Sequence, residues 1–519
     1  MTGSVPFVDE IFNLKPSKPL KVLLISPEVS PYANVAGLSR VVGYLSRTLV
    51  KKGLDVRVFM PKFGSIDEES YPMEMVVEGL KVPTGDEGNP YLICNVKKHQ
   101  AKGFAPVYFL ENREYYELRA NVYGYNDDHI RWALLSRGVL EFLKQSDWLP
   151  DVIHANDWET GLVINWLKTS YQKEEKFLKI ATVFTIHNLI FQGIFDHKNM
   201  SDLNFDDGKS EVVSFFNDRL YWQNFLRRGI MYSDLITTVS KTYSKEILRP
   251  DFGEGLDRLL AERRSHLFGV LNGIDYEEFN PKTDRLLAAN YDSNSLSKRI
   301  ENKLTLQEEF DLPTDPKIPV ISSLGRMTDQ KGLDLLFDVL PPLLRDFEVQ
   351  FIIVGGGEGK YLDFFRWIAQ QFPKKVGVHL MMDYTLPHLV FSGSDLMVFP
   401  SRWEPCGLVQ IEGMRYGALS VAREIGGLAD TVKNFDPEKN EGWGFTFKDF
   451  DKWAFFAQIV RALETYRHKS LWEQLQKRAM QQDWSWDARA DEYIALYQKA
   501  IHLHQEELIN EGKLERSNE

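Results

Sequence analysis

The chain has 519 residues, too many for one hydrophobic core and enough for two large domains with a groove between them. Its 62 basic and 74 acidic residues leave a formal net charge of −12, which excludes a general nucleic-acid binder, whose face must be basic. Two cysteines, Cys94 and Cys406, are too few for a disulfide framework or a four-thiolate zinc site and suit a reducing cytosol.

The opening stretch "MTGSVPFVDEIFNLKPSKPL" carries acids and prolines without the apolar centre of a secretory leader. No apolar run approaches the ~20 residues that cross a bilayer, so the expected setting is cytoplasmic, with no membrane partner. "KVLLIS" then reads as a strand, "SPYANVAGLSR" (residues 30 to 40) as a loop and "SRVVGYLSRTLVKKG" as a helix. Strand, loop and helix in that order can turn helix N–H groups toward a phosphate. Such a loop usually offers bare glycines and a lysine. Here the matching places hold Asn34, Ala36 and Arg40, and Asn34, Gly37 and Arg40 are its candidate ligand contacts.

"DVRVFM", "DVIHA", "TVFTIH" and "LITTV" continue as short apolar runs, each followed by a helical pattern, which predicts parallel strands covered on both faces. "PDVIHANDWETGL" sets Asp157, and "TVFTIHNLIFQG" sets His187, just past two of these strands. That is the end of an α/β sheet where ligands bind. A structural role for a lone histidine is the alternative. Residues 269–303 are dominated by polar and turn-forming residues, and the hinge is placed there.

A second series follows: "VISSLG", "VQFIIVGG", "LMVFPS" and "LSVARE". "SLGRMTDQKGLDLL" puts Arg326 at a strand end and Lys331 at the next helix start. Cations there oppose the helix dipole, so they are either merely exposed or matched to an anionic ligand. In "PSRWEPCGLVQIEGMRYGALSVAREIGGLADTV" (residues 400 to 432) Glu404 lies in the loop after a strand and Glu412 about one turn into the next helix. Beside a helix N-terminus Glu404 stays ionised and can accept hydrogen bonds from sugar hydroxyls; a capping carboxylate and a solvated helix glutamate are the plainer reading. Gly426-Gly427-Leu428 is a bare-backbone turn suited to a diphosphate, or a plain turn. Helical spacing in "WEQLQKRAMQQDWSWDARADEYIALYQKAIHLH" predicts a closing helix, and the charged "EELINEGKLERSNE" a frayed end. Among the 13% aromatic residues, 12 of them Trp, most are expected in the core and a minority stacked on sugar rings or other flat ligands.

Over roughly residues 20 to 505 the chain resembles bacterial glycogen synthases and plant starch synthases, in "HANDWETGL", "TIHNLIFQG", "TTVSKTYSKEI", "GVLNGID", "GRMTDQKGLDLL", "PSRWEPCGL" and "GGLADTV". The resemblance implies an α/β fold of two Rossmann-like domains (GT-B) facing each other across a deep cleft. Residues 20–272 would form the acceptor-side domain, completed by a helix at 486–506, and residues 273–485 the nucleotide-sugar domain. It implies retaining transfer of glucose from a nucleotide sugar to the non-reducing end of an α-1,4-glucan. ADP-glucose is the expected donor and UDP- or GDP-glucose the alternatives. Arg326 and Lys331 would hold the donor phosphates and Glu404 the glucose hydroxyls, with Asp157 and His187 near the reacting sugar and Asn272 in the cleft. Glu412, Gly426, Gly427 and Leu428 join the donor side. The two cations make a metal unnecessary, and neither a metal nor another cofactor is expected.

The same resemblance exposes departures. The family usually has Lys-x-Gly-Gly-Leu at the first loop, with Asp two residues later; this chain has Asn34, Ala36 and Arg40 at the altered places. Ile425 replaces a common Thr, Met382 stands where an aromatic often packs near the base, and Glu412 differs from the Tyr common in bacterial glycogen synthases. These departures keep two alternatives in view: a retaining glycosyltransferase with another donor, or a catalytically weak protein that binds glucan and serves initiation.

Overall fold

A computed structural model describes residues 18–515. The leader expectation for residues 1–17, and that of a frayed end for 516–519, lie outside the described residues. The chain divides into two compact units. The first takes the chain up to Thr237, then Glu254–His266 and the chain from Ala490; the second takes Thr238–Gly253 and Leu267–Arg489. Segment 238–253 thus counts with the second unit although it precedes the expected boundary, because Ser240, Thr242 and Glu246 are bonded to Asp430 and Gly426 there.

The first unit holds β1 (Lys21–Ile25), β2 (Asp55–Pro61), β3 (Glu74–Pro83), β4 (Tyr91–His99), β5 (Val107–Glu111), β6 (Val152–Asn156), β7 (Ala181–Ile186) and β8 (Leu235–Thr238) in the spatial order β3-β4-β5-β2-β1-β6-β7-β8. β1 pairs in parallel with β2 and β6, and β6 with β7. Every residue of β6 and β7 is buried, which is why these strands read as continuous apolar runs rather than as alternating ones. The expectation of purely parallel sheets fails at one edge, where β3–β4 and β4–β5 are antiparallel. β3 is largely exposed and rich in charge, so it carries no buried-strand signature.

The second unit includes the short β9 (Leu267–Gly269). Its sheet comprises β10 (Val320–Leu324), β11 (Gln350–Val354), β12 (Val376–His379), β13 (Leu396–Phe399), β14 (Leu419–Arg423) and β15 (Phe445–Phe447), ordered β12-β11-β10-β13-β14-β15 and parallel at every pairing. This is the strand order of a dinucleotide-binding Rossmann sheet. The chain winds outward from β10 to β12, then returns to β13 and winds the other way. The topological switch point therefore lies between β10 and β13 in this unit, and between β1 and β6 in the first.

The closing helix spans Trp486–Asn510. It runs beyond the point where fraying was expected, because Leu508 is buried at 4% exposure and Glu507 reaches Lys168 at 3.3 Å. Among the described residues no helix is long and apolar enough to cross a membrane.

Candidate active site

In each unit the residues singled out from the sequence lie past the carboxyl ends of strands, several of them strands that flank its switch point. In the first unit Asp157 follows β6 directly and His187 follows β7. Asp157 has φ 56° and ψ −179°, a left-handed backbone that costs a non-glycine residue about 1–3 kcal/mol and is found at functional sites. Two bonds hold it there: its N–H donates to Thr185 O at 2.9 Å, and its Oδ1 accepts His187 N–H at 2.7 Å.

His187 Nε2 lies 2.9 Å from Asn156 Oδ1, while the Asn156 amide nitrogen donates to Ile25 O and His154 O. Asn156 Oδ1 is therefore the acceptor and His187 Nε2 carries the proton, which leaves Nδ1 to accept. Burial holds the imidazole near a pKa of about 3, so it is neutral at physiological pH.

Sequence reasoning missed two carboxylates beside this pair. Glu28, three residues past β1 and 0% exposed, accepts the N–H groups of Val35 and Ala36. Burial lifts its pKa to about 7 against those bonds and one from Tyr123. Burial also lifts Asp157 to about 7, against bonds from His187 and Asn188 and with the charge of Glu28 adding to the rise. Glu159, 6% exposed, is pushed well above the carboxylate range by burial and by Asp157. An acid two residues ahead of the "SPYANVAG" loop was the available signal for Glu28; the fold that sets it beside Asp157 was not legible.

In the first loop Asn34, Ala36 and Gly37 are exposed, and Arg40 is half-buried in the first turn of the helix Gly37–Lys51. Ala36 has φ −131° and ψ 179°, extended backbone that any residue adopts, so alanine in place of the family's glycine costs no strain.

In the second unit Arg326 follows β10 and Glu404 follows β13, on either side of the switch point. Lys331 Nζ reaches Glu404 Oε2 at 2.6 Å, and Ser401 Oγ donates to the same oxygen at 3.2 Å. Gly332 makes this contact possible: at φ +62° a Cβ would stand 2.1 Å from Pro400 O, so a glycine lets the Lys331 turn pack against the Glu404 loop. Arg326 is exposed and makes no ion pair among the described residues. Asn272 is 6% exposed, and its Oδ1 has no hydrogen-bond partner among the described residues. Glu412, at 3% exposure, is buried rather than set at a solvent edge.

The turn Gly426-Gly427-Leu428 starts a short helix, yet its N–H groups are engaged within the unit. Gly426 donates to the Glu246 carboxylate at 3.1 Å, Gly427 to Glu404 O at 2.9 Å and Leu428 to Ile425 O at 3.0 Å. The glycines answer a packing demand, because a Cβ at 426 would lie 1.8 Å from Glu404 O and one at 427 would lie 2.0 Å from Cys406 O. Ile425 is buried at 3% exposure, whereas Met382 is 57% exposed. Cys406 is a buried thiol whose pKa burial pushes up to about 12, which makes it inert as a nucleophile.

The sequence offers no metal-ligand pattern, but the fold brings Asp234, His504 and Glu507 together in the first unit, with ligand atoms within 4.8 Å of one another. Lys168 Nζ already stands 2.7 Å from Asp234 Oδ1 and 2.8 Å from His504 Nδ1, so an ammonium supplies the positive charge there.

Residues 21–262 match the starch synthase catalytic domain family, and residues 302–482 the glycosyl transferases group 1 family. Over 484 residues the chain is 41% identical to a glycogen synthase of Thermosipho melanesiensis, an alignment covering 93% of this chain and 99% of that one. It is 39% identical to a glycogen synthase of Moorella thermoacetica over 500 residues, 96% of this chain and all of the other. Among solved structures it is similar to the catalytic domain of starch synthase IV from Arabidopsis thaliana bound to ADP and acarbose, with a TM-score of 0.81 and 29% identity over 94% of this chain and 100% of that one.

Proposed function

The chain belongs to the glycogen and starch synthase family of retaining GT-B glucosyltransferases, and on that premise we propose that its donor is ADP-glucose and its acceptor the non-reducing end of an α-1,4-glucan in the cytoplasm. ADP is favoured because the solved starch synthase IV catalytic domain is bound to ADP. The observation that carries the reading is the Lys331–Glu404 pair at 2.6 Å with exposed Arg326, set about the switch point of a Rossmann sheet.

A departing diphosphate needs cations, and the glucosyl centre that loses it needs anionic or carbonyl oxygens around the sugar. Arg326 is open to meet phosphate, and Lys331 can share its charge between phosphate and Glu404. Glu404 Oε2 is taken by Lys331 and Ser401, and Oε1 is the oxygen left for a sugar hydroxyl. His187 Nδ1 accepts a hydroxyl proton in a hydrogen bond and does not act as a base. Retention then follows if the acceptor attacks on the face the diphosphate leaves and the leaving phosphate takes the acceptor's proton. No metal or other cofactor is assigned a role.

The test is incubation with ADP-, UDP- and GDP-glucose separately, with and without a malto-oligosaccharide, following nucleotide release and chain length. ADP release that depends on the oligosaccharide and lengthens it supports the reading. Faster turnover of UDP- or GDP-glucose reassigns the donor. Turnover of none, with oligosaccharide still bound, selects the weak glucan-binding alternative.

A further inference from the structure

The loop after β1 is exposed from Asn34 to Gly37, yet its shape is fixed from beneath. Glu28 Oε2 accepts Val35 N–H at 2.7 Å, and Ala36 N–H reaches Oε2 at 3.1 Å and Oε1 at 3.2 Å. Ala33 N–H donates to Val29 O at 2.9 Å, and Ser30 N–H to Ser39 O at 3.0 Å. The N–H groups of residues 35 and 36, inside the loop expected to meet a phosphate, are thus spent on an internal carboxylate. That carboxylate is wholly buried and has no cation among its partners in the described residues. Tyr123 bonds to it, and Asp157 and Glu159 act on the same group of charges. Asp128, which acts on Glu159, is itself paired with Arg131 at 2.5 Å. One further oxygen, Glu159 Oε2, is buried without a hydrogen-bond partner among the described residues. A buried anion that neither pairs with a cation nor faces solvent is expensive, and a merely structural brace would not need to be ionisable.

We propose that Glu28 is a positioning residue for the donor: ionised, it braces the Val35–Ala36 backbone in its donor-binding shape, and on protonation it releases that brace, so donor affinity falls with pH while glucan affinity does not. This rests on the reading that the first loop contacts the donor. It accounts for a loop that tolerates Asn34 and Ala36, since the loop's geometry is set by residue 28 rather than by its own glycines. Burial places the titration near pH 7, so between pH 8 and pH 6 the ionised fraction drops about tenfold.

ADP titrated calorimetrically into the full chain at pH 8 and pH 6 is the test, run on the wild type, on Glu28→Gln and on Glu28→Asp, with melting curves to establish folding. Donor and malto-oligosaccharide KM and kcat are measured in parallel. The expected result is wild-type affinity about tenfold weaker at pH 6. Glu28→Gln should be weak at both pH values beyond the titration of ADP itself, and Glu28→Asp, whose shorter arm keeps the charge, should lie between. Donor KM should rise while kcat and glucan KM stay within about twofold. If Glu28→Gln binds ADP like the wild type at pH 8, or if glucan KM is what moves, the inference is overturned and the donor reading stands. If Glu28→Gln does not fold, the wild-type series and Glu28→Asp decide, and affinity that follows the titration of ADP alone overturns the inference. If the wild type binds no nucleoside diphosphate, the donor reading falls and takes this inference with it.

Discussion

Lys331 and Glu404 stand 2.6 Å apart with Glu404 largely buried, so the two cannot be treated as independent contacts. On the proposed reading, removing Glu404 costs a donor-sugar contact; removing Lys331 also strands a buried carboxylate, which costs about 1–3 kcal/mol. Glu404→Gln should therefore lower kcat about 100- to 1000-fold with little change in melting temperature. Lys331→Ala should lose comparable activity and also melt several degrees lower, and the double variant should be less impaired than the product of the two singles. Steady-state kinetics and melting curves on the three proteins check this, and full additivity would show that the pair is not a unit. His187, held near a pKa of about 3, should contribute no titration to kcat/KM between pH 5 and 8. A His187→Asn variant that loses an inflection in that range would instead assign it proton transfer. At this scale the positions of Asp157, His187, Arg326 and Glu404 could be read because each comes after a recognisable strand, and that of Lys331 because it precedes the next helical pattern. Glu28 and Glu246 were not legible. Glu246 bonds Gly426, 180 residues away, and no spacing rule links them; Glu28 bonds the nearby Val35 and Ala36, but the fold that buries it beside Asp157 is set by other strands.

The strands that could be read, such as "TVFTI" and "FIIV", are those buried on both faces, where burial forces a continuous apolar run. The β3–β4 hairpin escaped because one strand is exposed and charged, β12 because half of its 4 residues are not fully buried, and β15 because it has 3 residues. The motif "TTVSKTYSKEI" was recognised without a reason for its residues, and the reason is a lock within the second unit. Asp430 accepts Ser240 Oγ at 2.7 Å, Thr242 N–H at 3.0 Å and Thr242 Oγ1 at 2.6 Å, while Glu246 accepts Gly426 N–H. Asp430→Ala should free segment 238–253 and cost about 1–3 kcal/mol, read as a lower melting temperature and new proteolytic cleavage in that segment. Unchanged melting and no new cleavage would mean that the apolar packing of Val239 and Tyr243, both buried, holds the segment alone.

For the whole molecule the buried ionisable groups set how stability follows pH. Burial lowers His504, but its bonds to Asp234 and Glu507 outweigh that and raise it from 6.5 to about 9. A raised histidine contributes stability that is complete below its unfolded pKa and is lost as pH climbs through the folded value, so melting temperature should fall between pH 6.5 and about 9. His504→Gln should flatten that slope, and an unchanged slope would remove His504 from the account. Glu28 and Asp157, raised to about 7, likewise lose their stabilising effect as pH rises from the ordinary carboxylate range. His154 and His187, lowered to about 3, have the opposite sign: their contribution is present above 6.5 and lost as pH falls toward 3. The account as a whole stands on glucosyl transfer, and the most direct measurement is NMR of the product formed from ADP-glucose carrying 13C at the anomeric carbon and a malto-oligosaccharide acceptor, comparing the wild type with Glu404→Gln. The expected product is a labelled α-1,4 linkage at the non-reducing end with the wild type and almost none with the variant; a β linkage, label elsewhere on the chain, or equal product from both proteins would contradict retaining transfer through Glu404.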